Sequence, residues 1–268
     1  MDINKNSLYF FRNETHYLKD NFIIHDEELF RKFNISIEHL CYFTLAMDKI
    51  IDGDYLLEVE KNLPCSAVKS YQESIKTLSK IFPDDHEFWN SLDKNNNQYY
   101  TTLLNEKQAS VQLKDFTIED FEKYAVGKHV LAYVPIIGLE YIFKPRYPIQ
   151  KLIDIYTLIF KGIQMNDDIE DFHIDTLNNQ WTYARSRARI YIHENNITNE
   201  ANLDRFEERV LYVSGIVEEL IDYSKEKFIL AKNIADENGF KTLSTWLNET
   251  ISDIRQNEDL ISKLIKDN

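Results

Sequence analysis

The stretch Phe160-Lys-Gly-Ile-Gln164-Met-Asn-Asp167-Asp168-Ile-Glu-Asp171-Phe-His-Ile-Asp175 decides how the rest of the chain is read. Gln164, Asp167 or Asp168, Asp171 and Asp175 recur at three- and four-residue intervals, which aligns them as one stripe of an α-helix. Thr157 and Phe160 continue that stripe towards the apolar run that begins at Ile149, so one long helix is expected from Ile149 to about Asp175. Carboxylates thus stand at the mouth of an apolar helix, with uncharged residues one and two turns deeper.

A second segment has the same design. In Tyr42-Phe43-Thr44-Leu-Ala-Met-Asp48-Lys-Ile-Ile-Asp52-Gly-Asp54, Asp48 and Asp52 are four residues apart and share a helix face, with Cβ atoms about 5–6 Å apart. Cys41, Thr44 and Leu45 lie on the turns below. Ser36 to about Asp52 reads as a helix apolar on nearly every side, ending at Gly53. A buried carboxylate must be paired or bind a metal.

Outward from these motifs the chain stays helical. Six Gly and five Pro in 268 residues are too few for a β-protein, which needs a turn signal every few residues. Ser66–Phe82 is amphipathic and stops at Pro83, and the Asn-rich stretch at 93–98 is expected to interrupt the next helix. Thr117 with Asp120 forms a capping box, and the helix it starts is expected to break between Gly127 and Pro135. Helices are further expected after Asn178–Asn179 and from the Asn195–Asn199 region to about Asn238, with Gly239 before a last amphipathic helix. No linker divides the chain, so the expectation is an all-α bundle forming one domain over residues 1–268.

Thirty-one Lys and Arg against 45 Asp and Glu leave a formal charge of −14, which disfavours nucleic acid and anionic lipid as partners. The two cysteines form no metal-ligand spacing. Residues 1–12 lack both a basic leader and an apolar signal core, and Val130–Phe143 is too short to span a bilayer. A soluble, cytoplasmic protein without stable membrane insertion is expected.

Two carboxylate motifs on helices that can face one another suit a hard cation such as magnesium, which takes one or two carboxylates together with phosphate oxygens. A diphosphate held this way becomes a good leaving group. The carbocation it leaves needs a dry cavity lined by aromatic faces. Phe43, Tyr124 and Phe160, with Thr44 and Thr157, are the candidate cavity residues. Single acidic i, i+4 pairs are common in so acidic a chain; two of them inside apolar helices are not.

These motifs resemble the class I isoprenoid synthases, in particular the terpene synthase and squalene/phytoene synthase branches. Asp48 and Asp52 resemble the DxxxD metal motif of the latter, and Gln164 through Asp175 its second aspartate helix. Asp167, Asp168 and Ile169 also match the start of the terpene-cyclase metal motif, although Asp171 and Asp175 replace its hydroxyl residue and glutamate. Lys49 stands at the second place of what would be a DDxxD, which weakens a chain-elongation reading. Glu122-Lys-Tyr-Ala-Val-Gly127-Lys128-His129 resembles the broken helix that lies between the motifs in the family.

The resemblance implies a helical bundle around a central cavity and a magnesium cofactor on Asp48, Asp52, Asp167, Asp168, Asp171 and Asp175. Asp48, Asp52 and Asp171 would carry catalysis. Lys128, Arg185 and Gln164 would meet the diphosphate of a prenyl diphosphate substrate. A homodimer is compatible with it. The preferred activity is ionisation and cyclisation of one substrate; the alternatives are condensation of two prenyl diphosphates, or a non-catalytic protein retaining the fold. Glu170-x-x-His173 is a single unit where a di-iron bundle needs two, and His25-Asp26 on its own is a weak phosphohydrolase signal.

Overall fold

The computed structural model describes residues 10–52, 60–199 and 202–266; the side chains of Asp52, Ser262 and residues 264–266, the expected cap at Gly53, and Asp54 lie outside that set. Twelve α-helices and one two-residue antiparallel ladder are present among the described residues, so the protein is all-α. The helices are α1 (Glu14–Leu18), α2 (Glu27–Asp52), α3 (Leu63–Leu78), α4 (Glu87–Gln112), α5 (Ile118–His129), α6 (Val134–Ile142), α7 (Gln150–Glu170), α8 (Phe172–Leu177), α9 (Tyr183–Glu194), α10 (Phe206–Val213), α11 (Ile216–Glu237) and α12 (Lys241–Lys266). The ladder pairs Phe22 with Pro145 and Ile23 with Lys144.

The apolar helix α7 lies at the centre because almost all its faces are apolar. Leu152, Ile155, Tyr156, Ile159, Phe160 and Met165 are fully buried. Its largest partner is α11, where Ser224 Oγ donates to the Gly162 carbonyl at 3.0 Å. α2 pairs with α3 through small residues: Ser74 Oγ donates to the Ser36 carbonyl at 2.8 Å and Ser70 Oγ to that of His39 at 3.0 Å.

Several element boundaries differ from the sequence reading, each for a local reason. α2 begins nine residues before Ser36, because Asp26 Oδ1 accepts the Leu29 amide at 2.9 Å and Glu27 and Glu28 occupy the first turn. The His25-Asp26 pair is therefore a helix start. α4 runs unbroken through the Asn-rich stretch, where Asn95 is buried and its amide donates to the Ser91 carbonyl at 2.9 Å. The long helix expected from Ile149 to Asp175 stops at Glu170, and Asp171 (φ −92°, ψ 7°) joins it to α8. The helix expected to reach Asn238 is divided at Gly215, whose φ of +83° suits glycine alone without strain.

Other expectations hold. Thr117 and Asp120 form the capping box. The break before Pro135 is a 3₁₀ turn over Val130–Tyr133, with Pro135 in the first turn of α6. Taken as one piece, Ile118–Ile142 is long and apolar enough to cross a membrane. Here it is divided, and Val130, Leu131, Val134, Ile136 and Leu139 are buried in the protein core.

Candidate functional site

Two chambers share part of their lining where α2, α4, α5 and α7 meet. The first is apolar, about 370 Å³, walled by Ile37, Leu40, Cys41, Thr44 and Leu45 of α2, Tyr99 of α4, and Ile163 of α7. Phe11, Glu14, His129, Leu131, Ala132 and Pro135 complete it. The second is polar, about 150 Å³, and is lined by Glu106, Asp168, Asp171, Asp175, Asn178, Gln180 and Thr182. Asp48, Lys128, Gln164 and Asp167 line both and so form the wall they share.

The polar chamber gathers six carboxylates around Lys128, the one cation among the described residues lining it. Lys128 Nζ lies 3.4 Å from Glu106 Oε1, both side chains largely buried, while Glu106 Oε2 is buried without a hydrogen-bond partner among the described residues. Asp48 comes from α2, and Tyr99 Oη donates to its Oδ1 at 3.4 Å. Gln164 Nε2 donates to Asp168 Oδ1 at 3.0 Å and to Asp167 Oδ2 at 3.3 Å. Asp168 Oδ2 accepts the Tyr183 amide at 3.2 Å, which sets this carboxylate at the positive end of α9.

Crowding shifts the acidities. Burial, with the charges of Asp171, Asp168 and Asp48 behind it, pushes Asp167 up to about 8 against the pull of Lys128. Burial and the charges of Asp168 and Asp167 push Asp175 up to about 9. Asp168 is raised by burial only to about 6, because the Gln164 hydrogen bond and Lys128 favour its charged form. A site that resists holding its own negative charge is one that favours an added cation.

The donor set is all hard oxygen, as magnesium requires. Among the described residues no three acidic, His or Cys side chains converge on a point where one ion could sit. Magnesium commonly takes only one or two protein carboxylates and completes its shell with phosphate oxygens and water. The buried, unpartnered oxygen of Glu106 is a further polar atom awaiting a partner.

Of the residues singled out from the sequence, Asp48, Lys128, Gln164, Asp167, Asp168, Asp171 and Asp175 come together in the polar chamber, and Thr44 lines the apolar one. Asp52 ends α2 one turn beyond Asp48, its side chain outside the described residues. The others stand elsewhere. Arg185 does not line the chamber: its guanidinium donates to the carbonyls of Gln180 (2.5 Å) and Asp175 (3.3 Å) and packs over Trp181, bracing the loop that carries Asp175 and Gln180. Phe43 packs on Tyr71 of α3, and Tyr124 on Phe116. Thr157 bonds the Tyr133 hydroxyl at 2.6 Å. Phe160 is fully buried behind the lining, stacked on His129 with ring centroids 5.3 Å apart.

The reading of the sequence missed Glu106, Tyr99, Phe11 and Glu14. Glu106 had a signal: with Leu92, Asn95, Tyr99 and Leu103 it falls on the buried stripe of α4. Assuming a break at residues 93–98 hid that stripe. Compared with known proteins, the chain matches no family model and no curated sequence.

Proposed function

We propose that the protein is a magnesium-dependent class I isoprenoid synthase that ionises a prenyl diphosphate and cyclises or rearranges the carbocation. One observation carries this reading: a carboxylate-rich polar chamber shares a wall of Asp48, Lys128, Gln164 and Asp167 with an apolar chamber. A molecule with a charged head and a hydrocarbon tail fits that division, the head in the polar chamber and the tail in the apolar one.

Asp48, with Asp52 a turn further along α2, and Asp167 of α7, Asp175 of α8 and Asp171 between those helices would hold magnesium. Bound there, magnesium neutralises the charge that grows on the diphosphate as the carbon–oxygen bond breaks. Lys128 would turn from Glu106 to the diphosphate oxygens, and Gln164 would keep Asp167 and Asp168 oriented. The apolar chamber excludes water from the cation, and the aromatic faces of Phe11 and Tyr99 favour positive charge. Its 370 Å³ lies at the low end of the ~300–1,000 Å³ typical of ligand pockets, which favours one folded tail over two joined substrates.

The test is incubation of the full chain with ten-, fifteen- and twenty-carbon prenyl diphosphates and magnesium, followed by mass spectrometry of the extracted products. A cyclic hydrocarbon or alcohol with the carbon number of one substrate is expected. A linear product with twice that number would favour condensation, and no product from any of the three would refute the reading.

A further inference from the structure

α4 carries no acidic motif, yet it fixes one side of the polar chamber. Lys107 Nζ donates to Gln180 Oε1 at 2.7 Å, and Ser110 Oγ accepts the Trp181 amide at 3.0 Å, so the loop after α8 is tied to this helix. Glu106 stands on the buried stripe between Tyr99 and those anchors. α5 crosses α4 closely here: a Cβ at Gly127 would meet Thr102 Oγ1 at 2.2 Å. Thr102 and Glu106 share a face of α4 one turn apart. The approach that Gly127 permits therefore brings the next residue, Lys128, against Glu106, with Nζ 3.4 Å from Oε1.

Asp48, Asp167, Asp168, Asp171 and Asp175 line the same chamber, and Lys128 is a rival to any metal that binds them. Its ammonium is a compact charge on a flexible four-carbon stem. Among carboxylates it supplies the neutralisation that a divalent ion would otherwise supply. Its field already reaches three of them: burial raises Asp167, Asp168 and Asp175, and the charge of Lys128 draws each back down. The side chains of Lys128 and Glu106 are only 11% and 7% exposed, so water and salt screen the pair little. A buried lysine deprived of its carboxylate is left uncompensated and is drawn to the next carboxylate in reach.

Resting on the magnesium site of the reading above, we propose that Glu106 is a positioning residue that holds Lys128 off the metal carboxylates and so leaves them to magnesium. Glu106 acts through Lys128 and not on the metal. The paired side chains are neutral together, so the chamber keeps a cation ready for the diphosphate without letting it occupy the place of the ion. Arrival of the diphosphate, with its own negative charge, then draws Lys128 away from Glu106. Two other roles for Glu106 have different consequences. A direct ligand would lower magnesium affinity on removal whether or not Lys128 is present. A plain buried ion pair would leave magnesium affinity alone when broken. Only a partner that restrains a competing cation makes the loss depend on Lys128, and such dependence is what a double-mutant cycle reads.

The test is isothermal titration calorimetry of the full chain with magnesium alone, for wild type, Glu106→Gln and Glu106→Gln/Lys128→Met, with the magnesium-dependent rise in melting temperature as a second readout. Glu106→Gln is expected to bind magnesium at least tenfold more weakly than wild type, because Lys128 moves onto the carboxylates. Adding Lys128→Met is expected to return the affinity to within threefold of wild type, since two neutral side chains then replace a neutral pair. A loss of less than tenfold in folded Glu106→Gln overturns the proposal. A double variant more than threefold weaker than wild type also overturns it, by making Glu106 a ligand. One more than threefold tighter does so by showing that Lys128 already lies on the carboxylates. Should Glu106→Gln lose its helical circular dichroism, the double variant is judged against wild type by the same limits. A wild type that binds no magnesium overturns this proposal and leaves the ionisation reading to be decided by its products. Absence of product from a chain that binds magnesium in the expected pattern overturns the ionisation reading alone.

Discussion

Asp167, Asp168 and Asp175 bind protons more tightly in the folded protein than free in water, at about 8, 6 and 9 against an ordinary 3.8. A carboxylate raised in this way favours the folded state while it holds its proton, and that contribution is lost as pH rises through the folded value. The metal-free protein is therefore expected to melt at progressively lower temperature between pH 6.5 and 9. Excess magnesium is expected to raise the melting temperature more at pH 9 than at pH 6.5, since it replaces protons on the same oxygens. A metal-free melting temperature that stays level across that window would mean the carboxylates are better solvated than their burial implies. Asp171 acts on two of these neighbours by charge, raising both Asp167 and Asp175. Asp171→Asn should relieve that repulsion, so it is expected to leave the metal-free melting temperature level or higher while lowering turnover by about 100-fold or more. Unchanged turnover with a stable fold would remove Asp171 from the site.

At the scale of elements, the all-α class and the presence of the two helices that carry the acidic motifs were legible, though not all their ends, because long 3.6-residue periodicity and the capping signals at Thr117 and Pro135 agree with the packing they produce. What could not be read were side chains whose role depends on a neighbouring element. Arg185 follows the second motif in sequence, yet the loop carbonyls of Asp175 and Gln180 lie closer to it than the chamber does. Glu14 lies outside every motif and enters the site only because α1 folds back against the bundle. The crossing of α4 and α5 is another such dependence: a Cβ at Gly127 would meet Thr102 Oγ1 at 2.2 Å and Thr102 Cβ at 3.0 Å. Gly127→Ala should push α5 away from α4, costing about 1–3 kcal/mol. It should also loosen the Lys128–Glu106 pair, one residue along α5. Thr102→Ala in the same chain vacates that space and is expected to recover most of the loss in thermal stability. If the double variant melts no higher than Gly127→Ala, the contact with Thr102 is not what holds these helices at their present distance.

For the molecule as a whole, under the proposed function the depth of the apolar chamber would decide which prenyl chain fits, and Phe11, from the segment before α1, and His129 of α5 line that chamber. The sequence stripe marked Phe160 as a candidate cavity residue, but its ring is fully buried and does not line the chamber. Phe11 does, and it forms with His129 and Phe160 a cluster of three rings whose centroids lie 5.4, 5.3 and 6.3 Å apart. The consequences of truncating each ring should therefore differ. Phe11→Ala removes the layer that faces the substrate and is expected to shift the preferred chain length upward by one five-carbon unit, with a modest loss of stability because the new space opens into an existing cavity. Phe160→Ala leaves a void among Tyr133, Tyr156 and His129 and is expected to cost about 3–5 kcal/mol, with little change in chain-length preference. Product profiles against ten-, fifteen- and twenty-carbon substrates, taken beside thermal melts of both variants, separate the two roles. A shifted profile in Phe160→Ala with an unaltered one in Phe11→Ala would mean that the depth of the chamber is set at Phe160, behind its present lining.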